Sequence, residues 1–152
     1  MYSFKRCCCV TVFSSILLML ASIGLARANP TIPYIIYSPK VAAQAQEFLS
    51  ARTLDDIFTL RQRRWPNGTK IRIFLPPADS EVYQQFITHQ LGMSVLQIEG
   101  IWNRMTFSGR AIPPSILPSQ NDVWERVQQS DAAIGVVSKQ FATQQLLQQG
   151  NQ

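Results

Sequence analysis

The chain has 152 residues, with 14 basic side chains against 9 acidic ones and a single histidine, a length that suits one compact domain. Its basic excess sits largely at the start: without the first 28 residues 124 remain, in which 11 of the 14 basic side chains face all 9 acidic ones, so nucleic-acid binding loses its main support. All three cysteines lie in that same start and His89 stands alone, which excludes a zinc cluster or a Cys/His pair from the remainder.

Residues 1 to 28 read as a secretory signal. Lys5 and Arg6 precede an uncharged apolar run from Cys7 to Leu25, and Ala26-Arg27-Ala28 supplies an A-x-A cleavage site. The run is longer than an ordinary signal core, so an uncleaved anchor is the alternative. Cleavage after Ala28 removes Cys7, Cys8 and Cys9 and leaves residues 29 to 152 as the mature domain, with no membrane segment.

Ile32 to Tyr37 is an apolar, β-rich run closed by Ser38-Pro39, and it predicts a first buried strand. Val41 to Leu49 has near-helical spacing but equally suits an ordered loop. Thr53 is expected to cap a short helix in which Asp55 and Asp56 complement the positive end of the dipole and Leu54, Ile57 and Phe58 form the apolar face. Arg61, Arg63 and Arg64 follow as a basic cluster, either a solvated helix end or an anion-attracting rim. Pro66-Asn67-Gly68 then turns the chain into a strand from Ile71 to Leu75.

Ser80 to Leu91 carries Val82, Tyr83, Phe86 and Ile87 at helical spacing with Gly92 as its stop, and Ser94 opens a second helix with Val95, Ile98, Ile101, Trp102 and Met105 in one stripe. Phe107 to Pro118 is a loop by composition, with Pro113, Pro114, Pro118 and Gly109 excluding a long regular element. Ser119 or Asn121 caps a helix to Gln129, Ala133 to Val137 reads as a buried strand, and the Gln-rich end is weakly amphipathic. Apolar strands that are continuous rather than alternating, interleaved with helices, indicate an α/β layered domain. Trp65, Trp102 and Trp124 fit core anchors better than a stacking platform. Asn67-Gly-Thr69 matches a glycosylation acceptor but is more simply a turn.

Taken in order, Leu54-Asp-Asp-Ile-Phe58, Arg64-Trp-Pro-Asn-Gly68, Phe107-Ser-Gly109 with Pro113-Pro114, and Ala132-Ala-Ile-Gly-Val136 resemble the phosphate-type periplasmic solute-binding proteins of ABC transporters. The likeness runs from Leu54 to Ser138 and is greatest to short, single-lobe exported members of that superfamily. It implies one layered lobe of the periplasmic-binding-protein-like type II fold, a central mixed sheet flanked by helices, located in the periplasm. It also implies a binding protein without enzymatic activity or cofactor, whose ligand is phosphate or another oxyanion.

In such relatives the strand after the tryptophan turn ends in an anion-holding loop that opens a helix. The matching segment is Leu75 to Glu81, where Ser80 stands for the hydroxyl residue but no glycine adjoins it and no arginine lies within the loop. Ser80 at a helix N-terminus suits an anion; it equally suits an ordinary cap, as does Asp79, and the carboxylates of Asp79 and Glu81 oppose an anion there. Ser108-Gly109-Arg110 is a second candidate, in which a glycine loop aims amides and Arg110 pairs with an oxyanion, against a plain turn. The competing class is an interaction module that keeps the fold without the ligand and self-associates or meets an envelope partner.

Overall fold

Strands whose side chains are apolar on both faces need cover on both faces, and this requirement organises the molecule. The computed structural model describes residues 31 to 150; the proposed signal, its cleavage site and Cys7 to Cys9 lie outside the described residues. Among these, β1 (Pro33–Tyr37), β2 (Arg72–Leu75), β3 (Ser115–Ile116) and β4 (Ala133–Ser138) form a mixed sheet in the order β1-β4-β2-β3. β4 runs parallel to β2 and antiparallel to β1, and β3 runs parallel to β2. The helices are α1 (Ala42–Phe48), α2 (Ala51–Phe58), α3 (Glu81–Gln85) continued by a π-turn over Phe86–Gln90, α4 (Val95–Phe107), α5 (Gln120–Gln129) and α6 (Lys139–Gln149).

Successive side chains of a strand point to opposite faces, and β2 and β4 divide accordingly. Ile73, Leu75, Ile134 and Val136 join the larger core with Val41, Ile57, Phe58, Tyr83, Phe86, Ile98 and Trp102. Phe74, Ala133 and Val137 join the second core with Ile36, Val123, Trp124, Val127 and Ala142. α1 to α4 therefore cover one face and α5 with α6 the other. The chain crosses from β2 to β3 through α3 and α4, then returns to β4 through α5. Because crossovers are right-handed, a reversal of direction across the sheet puts the intervening helices on opposite faces. The compact unit Thr31–Gln152 thus carries two cores of its own.

Three expectations change. α2 begins earlier than Thr53: Ser50 is the cap and its Oγ accepts from the Thr53 amide at 3.2 Å, which moves Asp55 and Asp56 out of the first turn. β1 is an edge strand, not a central one, with only Ile36 fully buried. Its Pro33 lacks a ladder donor and suits that position. The loop from Phe107 to Pro118 contributes β3, two residues paired with Phe74 and Leu75. Ser80, Ser94 and Ser119 cap α3, α4 and α5 as expected, and Trp65, Trp102 and Trp124 are buried; between helix and loop, Val41 to Leu49 resolves to a helix over Ala42–Phe48.

One close approach fixes the β4–α5 spacing. A Cβ on Gly135 would lie 2.8 Å from Val127 Cγ2, 2.9 Å from Val123 Cγ1 and 3.2 Å from the Phe74 carbonyl oxygen. Only glycine lets α5 pack this closely on the strand.

Candidate functional site

The chain leaves α2 through a bend that aims the arginine segment. Leu60 adopts φ 62°, a left-handed conformation that costs a side chain with a Cβ about 1–2 kcal/mol. Its side chain is nevertheless buried in the larger core, and burying a leucine recovers about 1.5–3 kcal/mol. Packing thus holds a turn that glycine would otherwise occupy. Beyond it Arg64 and Lys70 form an isolated antiparallel bridge, closed by Pro66-Asn67-Gly68, with Gly68 at φ 86°. Asn67 Oδ1 accepts from the Thr69 amide and hydroxyl at 3.0 and 2.6 Å, so this motif is a self-bonded turn. Trp65 anchors the hairpin through Nε1, which donates to the Ala132 carbonyl at 3.1 Å.

The second wall comes from the end of α4. Ser108 is the C-cap and Gly109 follows at φ 65°. The amides of Ser108, Gly109 and Arg110 donate to the carbonyls of Arg104, Thr106 and Met105, and Ser108 Oγ donates to the Met105 carbonyl at 3.1 Å. The glycine loop therefore aims no amide at a ligand; what it presents is the exposed Arg110 side chain. Arg63 Nη1 donates to the Arg110 carbonyl, tying the walls together across 47 positions of sequence.

Between these walls is an open cleft of about 570 Å³, lined by Leu60 through Arg64, Lys70, Ile71, Ile73 and Gly109 through Ile112. Five lining residues are cationic and none is acidic. Arg61 is tied to Asp56 at 2.7 Å and Arg64 Nη1 to the Gly68 carbonyl at 2.6 Å. The Lys70 ammonium and the Arg110 guanidinium meet no side-chain or backbone acceptor among the described residues. Arg64 and Lys70 face one another across the bridge, and like charges so placed repel; an anion between them removes that penalty. A second, smaller hollow near Leu117 is lined by Asp122, Glu125 and Arg126, and its mixed charge gives an anion no advantage.

Ser80 lies elsewhere. The cleft adjoins the amino-terminal end of β2, through Lys70 and Ile71, whereas Ser80 follows its carboxyl end. Ser80 Oγ donates to the Pro77 carbonyl at 2.5 Å and accepts from the Tyr83 amide at 3.4 Å. Glu81 Oε2 accepts from the Thr31 hydroxyl at 2.7 Å. Ser80 is thus occupied as a cap, beside a carboxylate with its own partner. His89 is exposed at the end of the π-turn. Among the described residues no three His, Cys, Asp or Glu side chains gather to hold a metal. Sequence reasoning named Gly109 and Arg110 and weighed the arginine cluster, but did not join them. Lys70, like Arg72 and Arg110, is a cation that could serve an anion from a neighbouring segment but that the sequence does not place, since a bridge between residues six apart leaves no periodic signal.

Two groups have shifted acidity, both outside the cleft. The Tyr83 phenol is pushed up to about 12, first by burial and then by the nearby Glu99 charge. The Asp131 carboxyl is held below its ordinary value chiefly by the hydrogen bond and charge of Lys40, at 2.6 Å.

No family model matches this chain, and no curated protein shows significant sequence similarity to it. Among solved structures its fold is similar to that of PstS from Borrelia burgdorferi, with a TM-score of 0.53 and 14% identity over 76% of this chain and 44% of that one. The likeness is one of fold. This chain spans less than half the length of PstS.

Proposed function

We propose that this chain is an exported, non-enzymatic, single-lobe relative of the phosphate-type solute-binding proteins that binds phosphate or another oxyanion weakly, in the cleft between the arginine hairpin and Arg110. The observation that carries this reading is a cleft with five cationic and no acidic lining residues, two of whose cations have no partner among the described residues. The distant PstS fold supports the same class. Binding is expected through Lys70, Arg110 and the remaining donors of Arg63 and Arg64, not through Ser80.

Weakness follows from exposure. Each hydrogen bond made by a solvated cation contributes roughly 0.5–1.5 kcal/mol, or up to about 3 when charge-assisted, and association costs at least about 4 kcal/mol. A dissociation constant near 1 mM corresponds to about −4.1 kcal/mol, which a few such contacts just reach. Calorimetric titration of phosphate at low salt tests the reading. Arg110→Ala is expected to weaken binding severalfold and Ser80→Ala to leave it unchanged; loss on Ser80→Ala alone would return the site to the helix start.

A second reading, an envelope interaction module, draws on one observation. Leu96 and Phe107 on α4 are 82% and 89% exposed, and their spacing of three helical turns puts them on one face. Sedimentation at increasing concentration separates the two, because self-association that Leu96→Ser and Phe107→Ser abolish, without anion binding, favours the module.

A further inference from the structure

The cleft is chemically mixed. Beside its cations it presents Leu60, Ile71, Ile73, Ala111 and Ile112, and the last of these is 80% exposed. Leu60 and Ile73 form a largely buried floor, while Ile71 and Ile112 give the accessible apolar surface. Much of the lining backbone is already engaged: the amides of Leu60, Gln62, Ile71, Gly109, Arg110 and Ala111 all donate to carbonyls of the chain itself.

A tetrahedral oxyanion that fills a site alone needs donors around all of its oxygens, since each unmet oxygen removed from water is a penalty. Of the five cations here, Arg61, Arg63 and Arg64 already donate within the chain, which leaves Lys70 and Arg110 as the uncommitted side chains. Its volume of about 570 Å³ lies in the range of clefts that hold drug-sized molecules, roughly 300–1,000 Å³, far more room than one small anion fills. Uncommitted cations beside accessible apolar surface match a ligand that combines an anionic group with an apolar body.

We propose that the cleft takes an organic anion, a small molecule carrying a phosphate or carboxylate on an apolar body, in preference to inorganic phosphate. The anionic group meets Lys70 and Arg110, and the apolar body lies against Ile71 and Ile112. This rests on the oxyanion reading of the same cleft and adds what is attached to the oxyanion. Ile112, the most exposed apolar residue of the cleft, is the contact that discriminates.

The test compares inorganic phosphate, phenyl phosphate and phenol by calorimetry, on the full chain and on residues 29 to 152. Phenyl phosphate is expected to bind at least about tenfold tighter than inorganic phosphate, the factor that about 1.4 kcal/mol represents, and phenol alone more weakly than phenyl phosphate. Ile112→Ser should remove most of that advantage and leave inorganic phosphate unchanged, while Arg110→Ala should weaken both anions. Because Ile112 is exposed, its replacement does not threaten the fold; an unchanged thermal midpoint checks this. Equal affinity for the two anions overturns the organic-anion inference and leaves the oxyanion site standing. Binding of neither anion overturns both. Binding of phenyl phosphate that Ile112→Ser does not alter overturns the placement of its apolar body.

Discussion

Gly135→Ala probes the tightest contact in the fold. The new methyl would meet two valine methyls of α5 at 2.8 and 2.9 Å and the Phe74 carbonyl oxygen at 3.2 Å, distances that require movement of the helix or the strand. Overpacking of this kind costs about 1–3 kcal/mol, while replacing a strand glycine by alanine recovers about 0.5–1 kcal/mol of backbone entropy. The net loss is about 1–2 kcal/mol. For a domain of this size that is a fall in thermal midpoint of roughly 4–8 °C, measured by calorimetry on residues 29 to 152. The loss should be coupled to α5. Repeated in a Val127→Ala background, which removes the closest methyl, Gly135→Ala should cost at least about 1 kcal/mol less than in the parent. A midpoint that is unchanged or raised in the single variant, or a cost identical in both backgrounds, would refute the packing argument.

Trp102→Ala should cost about 3–5 kcal/mol by denaturant titration, since its ring is buried and its Nε1 donates to the Phe58 carbonyl at 2.7 Å. Tyr83→Phe should raise the thermal midpoint at neutral pH, because the buried Tyr83 hydroxyl has no hydrogen-bond partner among the described residues. The same variant should flatten alkaline destabilisation: Tyr83 rises from 10.0 to about 12 on folding, so the folded state holds its proton more tightly, and stability is retained below pH 10 and lost as pH rises to 12. Intact-mass measurement on envelope fractions should give a chain starting at Asn29, and a membrane-bound product that retains Cys7 to Cys9 would contradict the signal reading.

The regular elements were legible where one residue type settles a local question. Ser80, Ser94 and Ser119 each precede an apolar stripe, and each is a cap. The mistaken start of α2 shows the limit of that signal, since Ser50 and Thr53 offer the same hydroxyl and tertiary packing decides between them. Ile32 to Tyr37 looked central because its composition matches a buried strand; Pro33 was the sign of an edge. β3 is two residues in a proline-rich loop, too short for any period.

The cleft was legible only in parts. Arg63 and Arg110 meet across 47 positions, and a basic cluster after a helix has the same sequence whether it dissolves in solvent or faces a second wall. The resemblance pointed instead to Ser80, the residue a conventional site would use. Its missing glycine and flanking carboxylates already weighed against that, and its hydroxyl is bonded to Pro77. Leu60 is the least legible contributor. Nothing in its sequence context marks a left-handed leucine, yet that bend directs the arginine segment toward Arg110.

The most direct test of the central claim is an amide and side-chain chemical-shift titration of residues 29 to 152 with phosphate at low salt. The expected result is a saturable set of shifts at Arg63, Lys70, Gly109 and Arg110, with a dissociation constant in the millimolar range and no change at Ser80 or Glu81. Shifts centred on Ser80 and Glu81, or none at phosphate concentrations up to tens of millimolar, would contradict it.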